Sequence, residues 1–450
     1  MNKAAYDVLI IGAGVIGSST ALSLSRLGYR VAVLDSKSGP GIGTTSYSSG
    51  ICRMFYSIPE SVKFAWEGYH YWKEWEEFIG AKSETGYAHL RECGGAVTIS
   101  ENSKSFVDKT VPCMQDAGVP VEVWDLPTAQ ARLGKQGIDL SRSFNPTRYD
   151  DPSFGMPTGQ KMKGAVFSPK TGYVSDPTLA VQNLVLAATE EGTKFLYHNR
   201  VVSIHQHQEK VTGVGLADGT TIEAPVVLNA AGPHSSLINN LAFPEDGGSV
   251  PNDMQFRTRP MRQEVAYCNP PPGVDMNKDG MIIVDLDVGA YWRPEVGNKI
   301  LIGGTEPACD PMEWVDGDID TDMDLSLSEN WTNYVYRVAL RVPGMPLPSG
   351  RGTQGIVSAY DVTPDWTPIY DKSSLNGYYL AIGTSGNQFK NAAVAGVLMS
   401  QLIDACENGH DHDREPLQLE LTKSNPGNFI DTKRFSRLRD LSDTSGSVLG

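Results

Sequence analysis

The first legible element of the chain is a run of four apolar residues, Val8-Leu9-Ile10-Ile11, ending on Gly12. A run so short and so uniformly apolar suits a strand buried on both faces, as in a parallel sheet. Beyond it Val15, Ile16, Ala21, Leu22, Leu24 and Leu27 lie on a helix that ends near Gly28, and a second apolar run, Val31 to Leu34, closes on Asp35. The pattern predicts strand, tight turn, helix, strand.

Further along, Ser61 to Ile79 carries Trp66, Tyr69, Trp72 and Trp75 at mostly helical spacing, which reads as a helix packed on the core. A helix is expected to open at Asp176-Pro177, followed by a hairpin turning at Asp218-Gly219 and a buried strand, "PVVLNAAG". "PEDGGSVPNDMQFRTRP" reads as irregular, Ser328 to Arg341 as a helix, and the end of the chain as a polar tail. Strand-helix pieces alternate with strand-rich ones, so the fold class expected is α/β, or α+β overall. The division is into a Rossmann-like domain from 1–95, 160–245 and 345–450, and a second, mostly antiparallel domain from 96–159 and 246–344.

Composition narrows the function classes. The 450 residues are 40% hydrophobic and 20% charged, a globular balance, and the net charge of −15 disfavours nucleic acid or an anionic membrane as partner. No apolar stretch approaches a bilayer span, and "MNKAAYD" enters the first strand at once, so the expectation is a soluble cytoplasmic protein. Six cysteines form no CxxC pair, which fits reduced thiols. The pairs His205/His207 and His410/His412 read as solvated histidines, and no metal site is expected.

The chemistry begins at the first turn. Gly12 allows the tight turn, Gly14 lets backbone approach a pyrophosphate, and Gly17 lets the helix pack on the strand, with the helix N-terminus facing the phosphates. Asp35 is placed to accept hydrogen bonds from an adenosine ribose. Small residues at Ala230, Ala231 and Gly232 allow another close approach. This much is compatible with NAD or FAD.

The opening, together with "SSGICR", "GAVFSPKTGYVSDPTLA", "VVLNAAGPHS", "YDVTPDWTPIYD" and "GYYLAIGTSGNQFKNAAVAG", resembles the D-amino-acid oxidase (DAO) superfamily, in the branch of sarcosine oxidase, dimethylglycine dehydrogenase and glycine oxidase. The resemblance implies FAD. It implies that Gly12, Gly14, Val15, Ile16, Gly17, Asp35 and Ser36 hold the ADP half, with Val201, Val202, Ala231 and Gly232 also against the cofactor. Ser46, Ser49, Gly50 and Arg53 would line the flavin, and Gly383, Ser385, Gly386, Asn387, Phe389 and Lys390 would sit beside its ring. Lys390 and the helix after Gly386 would stabilise negative charge on the reduced ring.

Three departures from the branch matter. Ser358 aligns with the cysteine that tethers flavin in monomeric sarcosine oxidases, implying noncovalent FAD. Leu301 aligns with their oxygen-activating lysine, and Tyr56 with an arginine that binds the substrate carboxylate. Oxygen or an electron-transfer acceptor therefore stays open as the electron partner. The implied activity is oxidation of a C–N bond in a secondary or tertiary amine, with primary amino acids, 2-hydroxy acids or a flavin-binding subunit role as alternatives. The catalytic and anchoring candidates are Lys390, Arg53, Tyr56, Arg293 and Tyr360, with Arg351 and Tyr291 as further possibilities. Asp365 of "TPD" reads as scaffold.

Overall fold

The computed structural model describes residues 5–243 and 254–450; part of the Pro-rich stretch expected to be irregular, and the Arg351 side chain, lie outside the described residues. A six-stranded sheet runs in the order Ile369–Lys372, Tyr378–Ile382, Val226–Asn229, Val8–Ile11, Val31–Leu34, Lys194–Leu196. Every neighbouring pair is parallel except the first.

Period-two alternation explains why the central strands are uniformly apolar. Val8, Ile10, Val31, Val33, Val226 and Leu228 face a core shared with the helices Val15–Arg26, Pro177–Glu190 and Ala392–Glu407. Leu9, Ile11, Ala32, Leu34 and Val227 face the other way, onto a three-stranded sheet built from Val201–His207, Lys210–Leu216 and Thr221–Glu223.

The second large sheet has eight strands, in the order Gly355–Val362, Arg259–Cys268, Lys299–Gly304, Ala290–Glu295, Ile282–Asp285, Gly95–Ile99, Gly164–Ser168, Glu122–Asp125. It is antiparallel apart from the pairing of Ile282–Asp285 with Gly95–Ile99. The helix Glu329–Arg341 covers it with Trp331, Tyr334, Val335 and Val338, and Arg341 reaches through to Asp285 at 2.7 Å. Strands Gly164–Ser168 and Gly355–Val362, assigned from sequence to the nucleotide-binding part, pair here instead, so the sheets share segments of chain.

Several elements differ from expectation. The aromatic helix is two, Pro59–Lys73 and Trp75–Ile79, broken at Glu74. Ser328 caps the next helix rather than opening it, accepting from the Asn330 amide through its hydroxyl. His412 is buried, not solvated: its Nδ1 accepts from the Leu417 amide at 3.1 Å and its Nε2 lies 3.5 Å from buried Asp371. The end of the chain is no polar tail: Phe435, Arg437, Arg439, Val448 and Leu449 are all buried.

The first helix packs on the helix Ala392–Glu407 by backbone contact. A Cβ at Gly396 would lie 2.6 Å from the Ser19 carbonyl carbon and 2.4 Å from its Oγ. Gly396→Leu is therefore expected to destabilise the fold by ~3 kcal/mol or to abolish it, read by thermal unfolding.

Candidate active site

The first turn behaves as three glycines with three different reasons. Gly12, at φ +110°, could not carry a Cβ, which would lie 2.4 Å from the Ala230 carbonyl oxygen. A Cβ on Gly17 would fall 2.0 Å from the Gly12 oxygen. At Gly14, by contrast, it would meet only Thr45 Oγ1, at 3.1 Å, and otherwise project into open space. Two of the glycines let backbone meet backbone, and the third keeps a cavity clear.

That cavity, about 570 Å³, runs between the two large sheets from Asp35 to Tyr291, Tyr360 and Gly386. Its size suits a cofactor. The helix Val15–Arg26 enters it with no side-chain cap and no acidic residue in its first turn, leaving its N-terminal dipole available to an anion. Asp35 braces the turn, accepting from the Ala13 amide at 2.7 Å and the Lys37 amide at 2.8 Å. A cavity with a helix N-terminus, whose Val15 amide donates to Thr45 Oγ1 at 3.2 Å, and a carboxylate at one end fits the dinucleotide that the sequence resemblance implies.

At the other end a second turn, 383–388, is held from the strand Gly355–Val362. Buried Asp361 accepts from the Gly383 amide through Oδ2 at 2.6 Å, and its backbone oxygen accepts from the Ser385 amide at 2.7 Å. Burial pushes its carboxyl up to about 7, and the Gly383 bond offsets part of that shift.

A smaller pocket of about 40 Å³ adjoins this end, sharing Ser48, Ser49, Tyr291, Tyr360, Gly386 and Phe389 with the large cavity. Arg53 and Lys390 line it. The Arg53 guanidinium donates to the carbonyls of Phe55 and Val448, the latter at 2.5 Å, and lies 4.5 Å over the Tyr56 ring. Lys390 Nζ donates to the Asn387 carbonyl at 2.5 Å. Burial, reinforced by Arg53, holds the Lys390 ammonium well below its ordinary value.

Buried basic side chains elsewhere are paired with acids. Arg262 meets Glu264, Arg293 meets Glu295, Arg337 meets Asp310, Arg341 meets Asp285, Arg437 meets Asp371 and Arg439 meets Asp365. Among the described residues only Arg53 and Lys390 are buried cations without a carboxylate in contact. Glu306 is near enough to influence Arg53 but makes no ion pair with it; burial raises its carboxyl to about 8.

The sequence candidates divide by position. Gly12, Gly14, Val15, Ile16, Asp35, Ser36, Ser49, Val201, Val202, Ala231, Gly232, Tyr360, Gly386 and Phe389 line the large cavity, as does Ser358. Arg53, Asn387 and Lys390 line the small pocket. Gly17, Ser46, Gly50, Gly383 and Ser385 stand behind the wall as turn-formers: the Ser46 hydroxyl bonds the Gly43 carbonyl and that of Ser385 the Gly383 carbonyl. Tyr56 lies behind Lys390, donating to the Asn387 carbonyl at 3.3 Å, with its phenol pushed up by burial to about 12.

Arg293 does not face either space. Its guanidinium is committed to the carbonyls of Ser49 and Pro294 and to Glu295, which leaves it a brace for the 48–50 loop rather than an anchor. Asp365 is scaffold, gripped bidentately by Arg439. Sequence reading passed over Thr44, Thr45 and Ser48, which lie in the small-residue loop it flagged, and Asp361, which lies inside a quoted motif. It also passed over Glu306, Val448 and Leu449, whose places depend on chain folding back from far away. Asp318 and Asp320, grouped with His234, are already paired with Arg200 and Lys37.

The sequence model described as "FAD dependent oxidoreductase" (DAO) matches residues 7–402. The N-methyl-L-tryptophan oxidase of Yersinia pestis (strain Pestoides F) is 27% identical over 228 residues, which are 50% of this chain and 53% of the relative. The chain thus spans about half the length of the curated relatives it matches. Among solved structures, L-proline dehydrogenase from P. horikoshii superposes with a TM-score of 0.72 at 17% identity, covering 97% of this chain and 98% of that one. Glycine oxidase from Geobacillus kaustophilus gives 0.68 at 19% identity, covering 92% and 98%. Both show the fold. Among the described residues no helix is long and apolar enough to cross a membrane.

Two outcomes follow from the turns. Gly14→Val should fold with a near-native melting temperature yet lose its flavin, whereas Gly17→Ala should lose stability itself; flavin content and thermal unfolding separate them. Folded Asp361 keeps its proton to higher pH than the unfolded chain, so its contribution to stability is present below about pH 4 and lost as pH rises towards about 7. Asp361→Asn should therefore melt higher relative to wild type at pH 7 than at pH 5.

Proposed function

The chain belongs to the DAO family of FAD-dependent oxidoreductases, and from that premise we propose that it oxidises a C–N bond in a small secondary or tertiary amine carrying a carboxylate, such as an N-methyl or cyclic amino acid. The observation that carries the reading is the pair of buried cations, Arg53 and Lys390, left without a carboxylate beside a pocket at the end of the cofactor cavity. Burying a charge unpaired is costly, so a pocket that keeps two is built for an anion.

FAD, held noncovalently, supplies a hydride acceptor when bound. The chain supplies the rest. Lys390 and Arg53 take the carboxylate and so fix which carbon faces the cavity. The same two cations, in a pocket walled by Ile282, Val284 and Phe389, penalise an ammonium and favour the neutral amine that oxidation requires. Tyr291 and Tyr360 line both spaces and can orient the nitrogen. The apolar walls exclude water until the imine product leaves and is hydrolysed. The acceptor that reoxidises the cofactor is oxygen or an electron-transfer partner; buried Leu301, in place of a lysine, favours the latter. Turnover by the isolated chain with an artificial acceptor would separate a self-sufficient enzyme from a subunit.

Anaerobic mixing of the holoenzyme with N-methyl amino acids, cyclic imino acids, D-amino acids and 2-hydroxy acids tests the reading. Bleaching of flavin absorbance by the first two groups is expected; bleaching by 2-hydroxy acids alone would overturn it. Lys390→Met should weaken carboxylate binding by about two orders of magnitude. Because that binding needs the Lys390 proton, wild-type affinity should fall as pH rises, starting well below 10.5, and the variant should lose this limb.

A further inference from the structure

The small pocket is closed by a segment of chain that belongs to neither large sheet. At its base Arg439 is fixed on Asp365 by bonds of 2.9 and 3.0 Å, and Thr444 Oγ1 donates to the Asp365 carbonyl at 3.0 Å. Residues 440–446 are exposed or half-buried, and Lys109 holds exposed Asp443 by a surface ion pair at 2.7 Å. The chain then turns inward at Gly446, with φ +64°, and buries 447–450.

Few bonds hold the inner end. The Val448 amide donates to Glu306 at 2.9 Å, its carbonyl accepts from Arg53 at 2.5 Å, and Ser57 Oγ donates to the Gly450 carbonyl at 3.4 Å. Val448 and Leu449 supply apolar walls of the pocket, and Gly450 abuts the Tyr56 ring, where a Cβ would lie 2.7 Å away. With the segment seated, about 40 Å³ remains, room for a few waters and too little for an amino acid. The Val448 carbonyl also occupies the guanidinium that the proposed carboxylate needs.

We propose that residues 442–450 are a displaceable wall of the substrate pocket, and that Val448 and Leu449 determine substrate size and affinity by competing with the substrate carboxylate for the space beside Arg53. The inference rests on the reading that this pocket takes a carboxylate. A carboxylate is a stronger acceptor for a guanidinium than a neutral carbonyl, so binding lifts the Val448 carbonyl from Arg53 and moves the two side chains outward. A seated segment thereby lowers apparent affinity by the fraction of molecules already open. Weakening its apolar hold must raise affinity.

The test uses full-length holoenzyme titrated with acetate and with benzoate, following the flavin absorbance change, in wild type, Val448→Ala and Leu449→Ala. Both variants are expected to bind the two anions about tenfold more tightly. Saturating benzoate is also expected to speed proteolytic cleavage within 440–450 in the wild type. Unchanged or weaker binding in both variants, with cleavage indifferent to benzoate, would overturn the proposal. Because no turnover is needed, tighter binding in the variants without oxidation of any amine would uphold the wall and refute the amine reading. Absence of any carboxylate effect on the flavin in all three proteins would refute both.

Discussion

Backbone contact at the carboxyl edge of the parallel sheet is the constraint on which the rest depends. Gly12 lies against Ala230 and Gly17 against Gly12, at distances that no side chain tolerates. Because those contacts are made, the first helix begins directly at the strand end with its N-terminus aimed at the cavity, and Asp35 comes within hydrogen-bond reach of the turn. One link farther, Gly396 lets the last long helix lie on the first, which delivers the second turn to the far end of the same cavity. Close backbone contacts at these glycines thus set both ends of the cavity.

Charge does the complementary work. Six buried arginines are neutralised by acids and tie segments together, and the Arg439–Asp365 and Arg437–Asp371 pairs hold residues 432–450 against the core. Breaking such a pair would leave a buried charge uncompensated, typically costing ~3–5 kcal/mol. Arg53 and Lys390 depart from that rule beside the small pocket, where the proposed carboxylate would supply the missing charge. Their carbonyl partners satisfy hydrogen bonds without bringing a full opposite charge. Asp361 and Glu306, held above their ordinary values by burial, add no full negative charge at mildly acidic pH to offset the two cations.

What could be read from the chain were features whose cause lies within a few residues. The glycine turn, the strand ending on Asp35, the Asp176 cap and the small-residue loop at 41–49 are local signals, and all but the Asp176 cap contribute to the Asp35 end of the large cavity's wall. Reading was weaker where one residue type serves two ends. Ser385 and Ser46 have the composition of ligand contacts, yet each spends its hydroxyl on its own turn. Arg293 has the charge of an anchor, but the register of its hairpin turns it onto Ser49 and Glu295.

By itself the sequence determined the glycine turn and the α/β class, because periodicity and glycine spacing are properties of neighbouring residues, while the choice of FAD came from resemblance to a family and not from that spacing. Only the tertiary structure decided which cations are left unpaired, that Asp361 crosses from one sheet to hold the turn of the other, and that a stretch resembling a polar tail walls the pocket with Val448 and Leu449. Those depend on contacts between residues from 22 to nearly 400 positions apart, where pairing and burial are set by the folded path of the chain and leave no local pattern.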